Sequence, residues 1–235
     1  MKKKEKRTLF WGMGWILAFV IWTALIQTAD VQPVGQNGTD IGFATFNSWF
    51  HSLTGVHMTT YIITDWLGLI PVFVCMIFGG MGLTQLVKRR SLLKVDYDIL
   101  VLGFYYAAVA FGYLIFEMIP INYRPILIQG RMEVSYPSST TLLVLSVMPT
   151  FSEQMNRRLK NAAVKKVIDM FVICFSVFMV MGRLFSGVHW FTDIAGGVLL
   201  SRGLFSIYKA ILLSGSSRNH SLEGRQWNFM KNFRN

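Results

Sequence analysis

Gly182-Arg183-Leu184-Phe185-Ser186-Gly187-Val188-His189-Trp190-Phe191-Thr192-Asp193 puts a guanidinium, an imidazole and a carboxylate within twelve residues, between two long apolar segments. Each of these groups costs several kcal/mol to bring into a bilayer, so each calls for a partner or a function. A similar demand arises upstream. Asn122-Tyr123-Arg124-Pro125 and Tyr136-Pro137-Ser138-Ser139 form the other charged and polar stretch on the same expected side of a membrane.

The membrane reading follows from composition. The 235 residues are 53% hydrophobic and 15% charged, with a mean hydropathy of +0.44, whereas soluble domains carry about 25% charged residues. The expectation is an all-α, integral membrane six-helix bundle in one domain, residues 1–213, followed by a basic cytoplasmic tail at 214–235. Six stretches approach the ~20 residues that cross ~30 Å of hydrocarbon: 9–28, 66–86, 99–119, 138–155, 167–185 and 190–212. The fourth is short and opens weakly, with Ser-Ser-Thr-Thr. The first resembles a secretory signal, but its apolar run exceeds the 7–15 residues of a signal core, which reads as a retained anchor. Between the first two spans, Phe43, Phe46 and Phe50 recur at helical spacing, as in an interfacial helix lying among headgroups.

Basic residues set the orientation. Eighteen of the 23 lie on one side: five from Lys2 to Arg7, four from Lys88 to Lys94, five from Arg157 to Lys166, and Arg218, Arg225, Lys231 and Arg234 in the tail. That side reads as the cytoplasm, where the clusters contact anionic lipid. Both termini are then cytoplasmic in a multi-pass protein of the plasma membrane. Arg202 falls within the last span and is expected to pair with Asp98 or Asp169. Arg124, Arg131 and Arg183 remain toward the outer face and are read as parts of one site. A net charge of +11 in this distribution, with no basic face interleaved with aromatics, excludes a nucleic-acid partner. Cys75 and Cys174 sit in apolar runs and indicate neither a disulfide framework nor a metal site.

The outer-face residues suit phosphoryl chemistry. His189 and Asp193 are four apart; on a helix they would share a face, with the carboxylate taking a hydrogen bond from one imidazole nitrogen and leaving the other as nucleophile. Arg183 and Arg124 can fork onto phosphate oxygens. Ser138 and Ser139 open the fourth span, where free amides and hydroxyls form an anion cradle.

These stretches resemble the type 2 phosphatidic acid phosphatase superfamily, whose pattern is Lys-x6-Arg-Pro, Pro-Ser-Gly-His and Ser-Arg-x5-His-x3-Asp. Arg124-Pro125 matches the end of the first motif, Pro137-Ser138 the start of the second, and Gly182-Arg183, His189 and Asp193 the third. The resemblance implies a metal-independent hydrolase without cofactor. In it His189 attacks phosphorus to form a phosphohistidine, Asp193 orients the ring, and Arg124, Arg183, Ser138 and Ser139 hold the phosphate. Its substrates would be membrane lipid phosphates: polyprenyl diphosphate, phosphatidate or phosphatidylglycerol phosphate. Two positions depart from the pattern. Glu117 stands where the family has lysine, and Thr140 where it has the histidine that protonates the leaving group. Loss of an acid costs about 10²–10⁴ in rate. Three accounts stand. Another group, His51, His57 or Glu133, replaces the acid; a diphosphate substrate needs little protonation; or the site only binds or transports lipid phosphate. A phosphotransferase using the same phosphohistidine is a further alternative. Oligomeric state is not encoded legibly.

Overall fold

The computed structural model describes residues 3–232, with side chains through Gly215. It is all-helical: α1 (Lys3–Ile26), α2 (Ala44–Thr54), α3 (Met58–Leu67), α4 (Leu69–Arg89), α5 (Tyr97–Met118), α6 (Ser139–Arg158), α7 (Ala162–Phe185) and α8 (Phe191–Asn232). The six expected spans are all helical, and among the described residues five segments are long and apolar enough to cross a membrane. The protein is an integral membrane protein. The basic tail continues the backbone of α8 to Asn232, while its basic side chains lie outside the described residues.

The odd helix is α6, the one that hydropathy reads as weak. It packs against α4, α5, α7 and α8, so protein rather than lipid surrounds it. Thr141, Leu142, Val144, Ser146, Val147, Met148, Thr150 and Gln154 are all buried along it. Its polar groups find partners inside the bundle. The Tyr105 hydroxyl donates to the Ser146 carbonyl at 3.1 Å, and the Tyr106 and Thr150 hydroxyls bond at 2.8 Å. Gln154 Nε2 donates to the Tyr208 hydroxyl at 2.9 Å. A helix enclosed this way need not be apolar, because its hydrogen bonds are made to neighbours.

Small residues set the closest helix approach. A Cβ on Gly12 of α1 would lie 2.9 Å from the Ile207 side chain of α8, and one on Gly203 of α8 would lie 2.6 Å from the Ile16 side chain of α1. The two glycines admit each other's large neighbour, so α1 runs along α8 at close range.

Between α1 and α4 the chain differs from the expected loop. α2 covers the anticipated aromatic segment, and it is anchored as well as exposed. Buried Asn47 donates to Thr192 Oγ1 at 3.0 Å, while Phe46 and Phe50 pack against Phe191 at centroid distances of 5.2 and 5.5 Å. The next residues form α3, which begins eight positions before the expected second span and meets α4 at Gly68. Hydropathy placed the boundary late because Thr59, Thr60, Thr64 and Asp65 dilute this first stretch. Their surroundings explain them: Thr64 is fully buried, with its hydroxyl on the Thr60 carbonyl at 2.8 Å.

Two expected ion pairs resolve differently. Asp98 pairs with Arg158 at 2.8 Å, and Asp169 accepts from Ser152 and Asn156. Arg202, meant for one of them, is exposed and lines a groove with Glu153, Asp169 and Lys209, without an ion pair to either carboxylate.

Candidate functional site

Three helix ends and one loop build the site. α7 ends at Phe185 and α8 starts at Phe191, so His189 sits in the connecting turn rather than on the helix. Gly187 makes that turn feasible. Its φ of +70° belongs to the left-handed region, and a Cβ there would stand 2.0 Å from the Gly55 carbonyl oxygen. His51 Nε2 bonds the Gly187 carbonyl at 3.0 Å, tying α2 to the same turn.

The pairing of His189 with Asp193 differs from the expectation. Nδ1 lies 3.6 Å from Asp193 Oδ2, too far for a hydrogen bond. The reason is that both carboxylate oxygens already have shorter partners. Oδ2 accepts the Trp190 backbone N–H at 2.9 Å, and Oδ1 accepts Asn122 Nδ2 at 3.2 Å. Because α8 begins after His189, Asp193 caps the helix start and faces the ring without grasping it. Trp190 is buried and donates Nε1–H to the Tyr123 carbonyl at 2.8 Å.

Ser138 caps α6, accepting from the Thr141 N–H at 3.5 Å, and its own N–H donates to the Asp193 carbonyl at 3.1 Å. The start of α6 is thereby fixed against the start of α8. Gly196 allows the approach, since a Cβ there would come within 2.5 Å of the Tyr136 ring.

Arg124 arrives on the loop between α5 and α6. That loop doubles back on itself: Arg124 N–H donates to the Glu133 carbonyl at 3.0 Å and Ser135 N–H to the Asn122 carbonyl at 2.9 Å. Arg131 lies at its exposed tip, outside the site it was expected to join. The side chains of Arg124 and Glu133 form an ion pair at 3.1 Å without hydrogen-bond alignment.

Arg183 is 2% exposed. One nitrogen, Nη2, donates both to Asp65 Oδ1 at 2.7 Å and to Thr140 Oγ1 at 2.6 Å. Asp65 and Tyr61, one turn apart on α3, escaped the sequence reading, which took 29–65 for a loop. The Tyr61 ring lies 4.8 Å from the Arg183 guanidinium and 5.7 Å from that of Arg124, inside the ~6 Å range of cation–π attraction. One aromatic face therefore supports both cations. Their i, i+4 spacing on a helical period was the available signal, hidden by the late start assigned to the span.

What remains is a set of buried nitrogens that the protein's own hydrogen bonds do not use. Nε and Nη1 of Arg183, Nε and Nη1 of Arg124, and both nitrogens of His189 are buried and make no hydrogen bond. Buried polar groups of this kind are rare and need an explanation. Their charge environment is equally distinct. Burial pushes the His189 pKa down to about 4, the nearby Asp193 opposes this, and Arg124 and Arg183 add to the lowering. The imidazole is thus neutral at pH 7, the form with a free lone pair. Of the other expected acid candidates, His57 bonds the Thr54 carbonyl at 2.9 Å and is exposed. Glu117 stands beside Tyr113 on α5 and lines a small cavity with Ser139 and His189. Metal-ligand clusters of His, Cys, Asp and Glu are absent among the described residues.

A family model described as the PAP2 superfamily matches residues 102–213, the part of the chain holding Arg124, Ser138, Arg183, His189 and Asp193. Over those residues, just under half of the chain, the sequence follows that superfamily's pattern. The fold of the chain is similar to the crystal structure of a transmembrane PAP2 type phosphatidylglycerolphosphate phosphatase from Bacillus subtilis. The TM-score is 0.62 and the identity 17%, over 86% of this chain and 96% of that one. Curated proteins give no sequence match.

Proposed function

We propose that this protein is a membrane phosphatase that hydrolyses lipid-linked phosphate or diphosphate through a phosphohistidine on His189. The observation that carries the reading is the group of buried, unpartnered N–H donors on Arg124 and Arg183 around a neutral imidazole. Two forked guanidiniums suit the three equatorial oxygens of a transferring phosphoryl group, and they supply its charge neutralisation without a metal. His189 Nε2 attacks phosphorus. Nδ1–H faces Asp193, whose carboxylate stabilises the cationic phosphohistidine across 3.6 Å. Ser138 and Ser139 place the α6 N-terminus beside the bound oxygens.

A lipid substrate is supported by a cavity of about 630 Å³ that starts at Asp65, Ser139 and Thr140 and continues between Leu69, Val109, Leu142 and Val147. The volume falls within the usual range for ligand sites. The headgroup would stay with the arginines and the chains would follow the apolar wall. Within this class the candidates are polyprenyl diphosphate, phosphatidate and phosphatidylglycerol phosphate.

The charge bias puts the site on the outer face of the plasma membrane, with α6 as a sixth span and α2 at the interface. Replacing Arg131 by cysteine in a chain lacking Cys75 and Cys174 tests this in intact cells. Labelling by a membrane-impermeant thiol reagent is expected, and labelling only after lysis would overturn the orientation.

The activity test incubates purified protein with phosphatidate and with a polyprenyl diphosphate in chelator, beside His189→Ala. Phosphate release that the substitution abolishes is the expected result. Thr140 at the family's acid position favours one other reading, a lipid-phosphate binding protein without turnover. Retained binding with no release from either lipid would select it. Transfer of labelled phosphate to an added acceptor lipid would mark a phosphotransferase.

A further inference from the structure

We infer that Asp65 is the general acid and base of this site, taking the place left by Thr140; this rests on the phosphohistidine reading above. Asp65 Oδ1 and Thr140 Oγ1 accept from the same nitrogen, Arg183 Nη2, at 2.7 and 2.6 Å. Two acceptors on one donor are close neighbours, so the Asp65 carboxylate stands beside the side chain at position 140. It reaches there from α3, across the bundle from α6. Both residues also line the mouth of the apolar cavity, on the side where a lipid ester oxygen would leave.

No other acid on the page has this placement. Glu133 is engaged with Arg124, Glu117 lines a separate small cavity with Ser139 and His189 rather than the apolar one that Asp65 and Thr140 border, Asp193 is fully buried under Trp190 and Asn122, and His51 is bonded to Gly187. Asp65 differs from Asp193 in a second respect. Its side chain is 61% exposed, whereas Arg183 beneath it is buried.

The proton path balances. As a phosphate takes the free Nε and Nη1 of Arg183, Asp65 takes up one proton from solvent, the proton it delivers in the next step. His189 Nε2 then forms its bond to phosphorus as the phosphorus–oxygen bond to the lipid breaks, and the Asp65 carboxylic acid gives its proton to the leaving oxygen. Water next attacks the phosphohistidine, the Asp65 carboxylate takes the water's proton, and the phosphorus–nitrogen bond breaks. The proton returns to solvent as phosphate departs.

The experiment compares two leaving groups in wild type and Asp65→Asn, an isosteric change at an exposed position. Phosphatidate releases an alcohol and needs an acid; p-nitrophenyl phosphate releases a phenolate and does not. Asp65→Asn is expected to lower the single-turnover rate of leaving-group release, which precedes the hydrolysis step common to both esters, about 10²–10⁴-fold on phosphatidate and less than tenfold on the aryl ester. Adding Thr140→His to Asp65→Asn is expected to restore part of the phosphatidate rate by returning an acid to the neighbouring position. Equal losses on both esters would overturn the assignment, since disturbance of Arg183 alone does not distinguish leaving groups. No loss on either would overturn it as well. If wild type turns over neither ester, the hydrolase reading fails first and the inference with it. Turnover by wild type that His189→Ala abolishes, with no leaving-group difference in Asp65→Asn, sinks only the role of Asp65.

Discussion

The two ends of α6 each hold an arginine against a carboxylate, yet they are built to opposite ends. Near Arg158 the polar groups satisfy one another. Arg158 donates to Asp98 at 2.8 Å and to Gln154, Gln154 donates to Tyr208, and Asp169 collects Ser152 and Asn156. Near Ser138 the arginines use only part of their donors, and His189 uses none. A buried donor left unbonded costs about 1–3 kcal/mol, which a purely structural cluster would avoid. The contrast separates a polar network that holds helices together from one whose donors stay open, as the proposed phosphate site requires. Charge content alone would not, because each end carries arginines and acids.

Substitutions break this contrast most sharply at the nucleophile. His189→Ala is expected to lower kcat by about 10⁴–10⁶, the cost of losing a residue that forms the covalent intermediate. Acid-labile, histidine-linked label after incubation with labelled substrate should vanish with it; persistence of that label in the variant would place the nucleophile elsewhere.

Next is Arg183→Ala, expected to reduce kcat about 10²–10³-fold, as when one preorganised donor to a developing oxyanion is removed. Arg183→Lys should recover little of this, because an ammonium cannot bond Asp65 and Thr140 while forking onto phosphate. A lysine variant as active as wild type would reduce the role of Arg183 to bulk charge.

At the other end, Asp98→Asn should leave kcat per folded molecule unchanged and lower stability by about 1–2 kcal/mol, read as a fall in Tm in detergent. The estimate is modest because both side chains of the pair remain about one quarter exposed (27% and 23%). A large loss of turnover without a change in Tm would erase the distinction between the two ends.

The smallest effect is on pH. His189 takes a proton near 6.5 in the unfolded chain but only near 4 when folded. Between those values the unfolded state binds more protons, so its contribution to stability is full above about pH 6.5 and is lost as pH falls toward 4. The difference in Tm between wild type and His189→Gln should therefore change through that window and stay flat above it. A flat difference throughout would mean that the ring is hydrated.

Much of this was legible from residue order. The apolar runs marked every long helix, and the third motif named Arg183, His189 and Asp193 by spacing alone. The errors share a cause. Hydropathy counts lipid-facing surface, so it undervalued α6, which other helices enclose, and α3, whose threonines and Asp65 serve the interior. Spacing along a presumed helix also suggested a His189–Asp193 hydrogen bond, but α8 starts two residues later and Asp193 caps it instead. Tyr61 and Asp65 were invisible for a related reason: neither belongs to a linear motif, and their partners lie more than fifty residues away.

Sequence by itself determined that the chain enters a membrane, because no arrangement of 53% hydrophobic residues with so few charges avoids burying long apolar helices. It also singled out the groups proposed to carry phosphoryl chemistry, cations and an imidazole at fixed spacing. Only the tertiary structure decided which donors stay unbonded, and which carboxylate stands beside Thr140. Those are properties of several helix ends meeting at one point, where each side chain's partner is chosen by packing rather than by neighbours in the chain.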